Sequence, residues 1–142
     1  FTKDDRADEP LVVRHRPPLP DGVPNYITPR GLEALRAELA AAESGPRRLE
    51  LERRIATAVL APPPADRDEI RFGARVSLRD RNGEIRRVRI VGVDEANPAD
   101  GMVAFVAPLA RALFGRRAGD QVTVQAPGGA EELAVLSIDY DD

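Results

Sequence analysis

The stretch Pro108-Leu109-Ala110-Arg111-Ala112-Leu113-Phe114-Gly115-Arg116-Arg117-Ala118-Gly119-Asp120 decides the reading of the fold. Pro108 suits the first position of a helix, where its missing N–H would be unpaired anyway. Leu109 and Leu113 stand four residues apart, so a helix over 109–114 directs both, with Phe114, to one apolar surface. Gly115 can end that helix in the left-handed conformation, and Gly119-Asp120 can turn the chain into a strand. Such a short helix is marginal by itself, so it predicts a sheet beneath it.

The flanking sequence supplies that sheet. Upstream, Val76 and Leu78 alternate with Ser77 and Arg79, and Asp80-Arg81-Asn82-Gly83 reads as a turn. Ile85, Val88, Ile90 and Val93 populate a second strand, with Gly92 as a candidate bulge. Residues 97–101 read as a further turn and 102–106 as a third strand. Downstream, Val122 and Val124 mark a fourth strand, Pro127-Gly128-Gly129 a turn, and Leu133, Val135, Leu136 and Ile138 a fifth. The order β-β-β-α-β-β over residues 70–142 predicts a small, strongly curved antiparallel sheet covered by one short helix, an α+β fold.

Farther upstream the period changes from two to the helical value. Thr28 is a candidate N-cap followed by Pro29, and Leu32, Leu35, Leu39 and Ala42 recur at spacings of three and four. Ser44-Gly45-Pro46 interrupts them. Leu51, Ile55, Ala58 and Val59 then mark one face of a second helix, which Pro62, Pro63 and Pro64 stop. Two helices of about 15 residues and about 22 Å each, joined this tightly, predict a short antiparallel helical hairpin over 27–61. Residues 62–69 read as a linker. Residues 1–26, with Pro10, Pro17, Pro18, Pro20 and Pro24, read as an extended, flexible arm.

The chain has 142 residues, 42% hydrophobic and 4% aromatic, with 21 basic and 24 acidic side chains and a net charge of -3. That balance provides no whole-molecule positive field for nucleic acid, and the few aromatics do not form a stacking platform, so sequence-specific nucleic-acid binding is not expected. There is no cysteine and a single histidine, His15, which leaves no disulfide framework, cysteine nucleophile or histidine-based metal site. Phosphate-cradling loops, dinucleotide motifs and hydrolase signatures are absent. Acidic runs at Asp66, Asp68 and Glu69, at Asp94 and Glu95, and at Asp139, Asp141 and Asp142 read as solvated surface. No catalytic residue, cofactor or metal is expected. No apolar run suggests a membrane span and no leader is recognisable, which predicts a cytoplasmic protein.

Several ordered motifs carry a resemblance. Asn25-Tyr26-Ile27-Thr28-Pro29-Arg30-Gly31-Leu32, Phe72-Gly73-Ala74-Arg75-Val76, Ile90-Val91-Gly92-Val93-Asp94-Glu95-Ala96, the 108–120 stretch, Pro127-Gly128-Gly129 and Ile138-Asp139-Tyr140 together resemble the bacterial Gre transcript-cleavage factors. The resemblance implies an FKBP-like C-terminal domain that docks on RNA polymerase at the rim of the secondary channel. It further implies a coiled-coil hairpin that enters the channel, with paired tip carboxylates that help hold a magnesium ion during hydrolysis of backtracked RNA. It points to the face near Asp94 and Glu95, and to Pro108, Leu109, Arg111, Leu113 and Phe114, as the dock.

At the hairpin tip the sequence departs from that pattern. The tip reads Glu43-Ser44-Gly45-Pro46-Arg47-Arg48, so no Asp accompanies Glu43, and the hairpin is short. The expectation is therefore a polymerase-binding regulator without transcript cleavage, not itself an enzyme, similar to the short-hairpin Rnk type and able to compete with Gre factors. The tip arginines would face acidic polymerase surface. The alternatives are an adaptor for a partner other than polymerase, an active cleavage factor using unusual carboxylates, and a peptidyl-prolyl isomerase on the FKBP-like domain.

Overall fold

A computed structural model describes residues 16–140. Strand β1 (Asn25–Ile27) leads into helix α1 (Pro29–Ala41), and helix α2 (Pro46–Thr57) returns into strand β2 (Ala58–Leu60). Thr28 caps α1: its side-chain oxygen accepts from the Gly31 N–H at 3.0 Å, satisfying one of the orphan donors of the first turn. Gly45, at φ 133°, makes the reversal before Pro46 starts α2, a conformation that favours glycine. Ile27, Leu35 and Leu51 form the hairpin core, flanked by Leu32, Leu39, Ala42 and Ile55.

Here the hairpin differs from the sequence expectation. The second helix stops at Thr57, and Ala58, Val59 and Leu60 leave it as β2, paired in parallel with Asn25, Tyr26 and Ile27. Val59 is accordingly exposed rather than part of the helical seam. Parallel pairing with β1, and the bias of the chain toward extended backbone as it enters the proline run, outweigh another half-turn of helix. The arm expectation is also corrected where it is described. Arg16 and Leu19 pack on the body of the protein, and residues 25–27 are strand. Residues 1–15 lie outside the described residues.

The C-terminal region contains β3 (Arg75–Arg79), β4 (Ile85–Val91), β5 (Met102–Ala104), helix α3 (Pro108–Leu113), β6 (Gln121–Ala126) and β7 (Gly129–Asp139). The strands lie in the order β5-β4-β3-β7-β6, a curled α+β sheet of the expected class. The 80–83 turn forms as read, with Asp80 Oδ1 accepting from the N–H groups of Asn82 and Glu84 at 2.9 Å. The register shift falls between Ser77 and Leu78, where β3 pairs with β7. Gly92, a candidate bulge by sequence, instead follows β4 directly and has a different purpose, described below.

The sheet is antiparallel except at one edge, where β5 runs parallel to β4. A tight hairpin cannot make a parallel pair. Residues 92–101 therefore cross over, through a turn closed by the Glu95 N–H on the Gly92 carbonyl and a 3-10 turn at Pro98–Asp100, before Gly101, at φ 76°, redirects the chain. Helix α3 covers the sheet, burying Ala110 and Leu113 among Val76, Leu78, Val122 and Leu133. Tyr140 closes this core. Its hydroxyl donates to the Glu69 carbonyl at 2.6 Å and accepts from the Arg71 N–H at 2.8 Å, and burial raises its pKa above the ordinary phenol value.

Candidate functional site

The turn after β4 joins the two regions. Glu95 accepts from the Gly92 N–H at 2.9 Å, from the Thr28 N–H at 3.0 Å and from the Thr28 hydroxyl. Its carboxylate thus sits at the positive N-terminus of α1. A side chain at Gly31 would collide with the Glu95 carboxyl, and one at Gly92 would collide with the Tyr26 carbonyl. Both glycines are there because two backbones and a carboxylate meet in one place. Asp94, with its side chain 1% exposed, pairs with Arg16 at 2.5 Å and Arg54 at 3.4 Å.

That geometry corrects the reading of Asp94 and Glu95 as solvated surface. Both carboxylates make contacts inside the molecule, tying α1, α2 and the 16–24 segment to the sheet, and the Asp94 side chain is buried. The sequence hid this because carboxylates adjacent in sequence after a strand look like solvated turn residues, whereas Thr28 lies 67 residues from Glu95 and Arg16 78 residues from Asp94.

Helix α3 divides the other candidate residues. Pro108 and Arg111 are exposed, Leu109 and Phe114 are half-buried against the core, and Leu113 is fully buried. Leu113 is thus a packing residue. The outward side of α3 offers Pro108, Arg111 and the edges of Leu109 and Phe114.

At the tip, Glu43, Ser44, Gly45, Pro46 and Arg47 are exposed. The two arginines are used to close the hairpin. Arg48 donates to the carbonyls of Leu39 and Ala42 at 3.1 and 3.2 Å, capping the end of α1, and Arg47 pairs with Glu38 at 2.8 Å. Only Glu43 supplies a carboxylate to residues 43–48. Among the described residues no group of three His, Cys, Asp or Glu side chains is placed to hold a metal ion.

Sequence reasoning missed two clefts at the hairpin base. One, of about 780 Å³, runs between the first turns of α1 and the proline run, over Phe72 and Tyr140. The second, about 490 Å³, lies where Pro62, Pro63 and Pro64 approach an aromatic cluster. In that cluster the rings of Tyr26, Phe72 and Phe105 are 5.6 to 5.8 Å apart and pack mostly edge to face. In the linker, Asp66 pairs with Arg117 at 2.5 Å, and the guanidinium holds the Asp66 carboxyl below its usual range. The linker residues were unremarkable in sequence because their partners are brought by the turn after α3.

The family described as "Transcription elongation factor, GreA/GreB, C-term" matches residues 64–140. The transcription elongation factor GreB of Neisseria meningitidis serogroup A / serotype 4A is 34% identical over 153 aligned positions, covering 82% of this chain and 94% of that protein. The transcription elongation factor GreA of Methylococcus capsulatus is 44% identical over 70 positions, 49% of this chain and 44% of that protein. The solved structure of GreA factor homolog 1 of Thermus thermophilus aligns at 24% identity over 80% of this chain and 97% of that chain, with a TM-score of 0.47. With its C-terminal region matched throughout and a relative aligned over nearly its whole length, the chain belongs to the GreA/GreB transcription elongation factor family.

Proposed function

We propose that this protein is a cytoplasmic regulator that binds RNA polymerase at the rim of the secondary channel and does not promote transcript cleavage. Family membership supports a polymerase partner, and the short hairpin supports the absence of cleavage. Its helices have 13 and 12 residues, about 20 Å and 18 Å at 1.5 Å per residue. Cleavage in the family calls for a long hairpin that delivers paired carboxylates to a metal-dependent active centre. A divalent ion engaged in phosphoryl transfer needs several negative oxygen ligands, and residues 43–48 carry Glu43 as their one carboxylate.

The dock in this reading is the outward side of α3, with Pro108, Leu109, Arg111 and Phe114. Asp94 and Glu95 act indirectly, by setting where the hairpin stands relative to that surface. Bound there, the protein excludes other ligands of the channel entrance, Gre factors among them.

The test is binding of labelled full chain to bacterial core RNA polymerase, with and without GreB, on complexes carrying backtracked radiolabelled RNA. Mutually exclusive binding with RNA of unchanged length is the expected result. Shortened RNA would restore the cleavage-factor reading, and absence of binding at physiological salt would favour an adaptor for another partner.

A further inference from the structure

The 780 Å³ cleft at the hairpin base has a chemistry that neither the core nor the proposed polymerase dock uses. One wall is α1, where Arg30, Glu33 and Arg36 follow at intervals of three and so share a face. The opposite wall is Leu60 and the proline run, with Leu60 51% exposed. Arg67 and Arg89 stand at the sheet end. The lining thus carries four guanidinium groups and one carboxylate, in a chain whose net charge is -3. A basic, largely apolar cleft on an acidic protein is a local feature, and local fields of this kind select partners by charge.

We infer that this cleft binds an extended acidic peptide segment of a partner protein, with one or two apolar side chains. The apolar side chains would lie on Leu60 and the prolines, and the carboxylates would face Arg30 and Arg36, both exposed on α1. Proline and aliphatic walls suit aliphatic anchors. A nucleic acid fits less well, because base stacking needs open rings. Phe72 packs against Tyr26 and Phe105, and the Tyr140 hydroxyl is tied to Glu69 and Arg71. None of Pro108, Leu109, Arg111 and Phe114 lines this cleft, so the inference stands or falls separately from the polymerase dock.

The experiment is fluorescence anisotropy of the full chain with a labelled peptide of alternating Glu and Leu. Controls are a Lys/Leu peptide, a synthetic peptide of residues 1–15, and labelled oligouridylate. The expected result is saturable binding of the acidic peptide only, weakened about tenfold or more by Arg30→Glu with Arg36→Glu and also weakened by Leu60→Asp. All three sites are exposed, and unchanged circular dichroism would show that the variants fold. No saturable binding, equal binding of the Lys/Leu peptide, or indifference to the arginine reversals would overturn the inference. So would tighter binding of oligouridylate, stronger competition by the 1–15 peptide, or dimerisation of the full chain that the arginine reversals abolish. The last two would assign the cleft to the chain itself or to a second copy.

Discussion

In the hairpin, Ile27, Leu35 and Leu51 are the buried apolar side chains, whereas the sheet region buries thirteen residues in one cluster, among them Ile70, Leu78, Ile90, Leu113 and Leu133. Fully burying one such side chain is worth about 2 kcal/mol, so burial contributes several times more to the sheet region than to the hairpin. The hairpin is instead held by polar groups from its neighbour: Glu95 on the start of α1, and Asp94 on Arg54 of α2. The difference teaches that one region is stabilised by burial and the other by attachment. A short hairpin of this kind is positioned by the domain that carries it.

That contrast is open to test by substitution. Leu113→Ala, in the centre of the larger core, should cost about 3 kcal/mol. Amide exchange should then accelerate in the hairpin as well as the sheet, because the hairpin depends on its support. Exchange that speeds up in the sheet alone would break the comparison. Glu95→Ala removes the acceptor of two backbone N–H groups and a hydroxyl, and should cost about 2 kcal/mol. Its signature is fast exchange in α1 and α2 with β3, β4 and β7 still protected, and equal loss in both regions would contradict attachment at this point.

Tyr140→Phe keeps the ring and deletes the hydroxyl between Glu69 and Arg71, for an expected cost of about 1 kcal/mol in the sheet region only. A lowered melting midpoint with unchanged hairpin exchange would agree. Arg48→Ala should cost about 0.5 kcal/mol, seen as fraying of the last turn of α1. The smallest effect concerns acid. Arg117 depresses the pKa of Asp66, so this pair contributes above the ordinary carboxylate range and is lost as pH falls through the lowered value. The pair is exposed and screened by salt. Asp66→Asn should flatten a small part of the acid limb of a melting-point profile at low salt, and an unaltered limb would show the pair to be inert.

The elements most legible in the sequence were those specified by local rules. Thr28 with Pro29 marked the start of α1, Ser44-Gly45-Pro46 the hairpin reversal, Asp80 to Gly83 a turn, and Pro108 to Gly115 the helix over the sheet. Each depends on one residue's backbone preference or on a period of two or 3.6. The departure at the tip was equally readable, since the presence or absence of a second carboxylate is a fact of composition. What misled was Asp94 and Glu95, and the end of α2, where the outcome depends on distant partners.

By itself, the sequence determined the fold class, the order of strands and helices in the C-terminal region, the shortness of the hairpin and the family it resembles. Backbone preferences and hydrophobic periods act between neighbours in the chain, and they suffice for those features. Only the tertiary structure decided that β1 and β2 pair, that β5 runs parallel, that Asp94 and Glu95 face inward, and that arginines gather beside Leu60 and the prolines in a cleft. Each of these joins groups separated by tens of residues, and their proximity follows from which surfaces must be buried together. Short-range pattern carries no record of that choice.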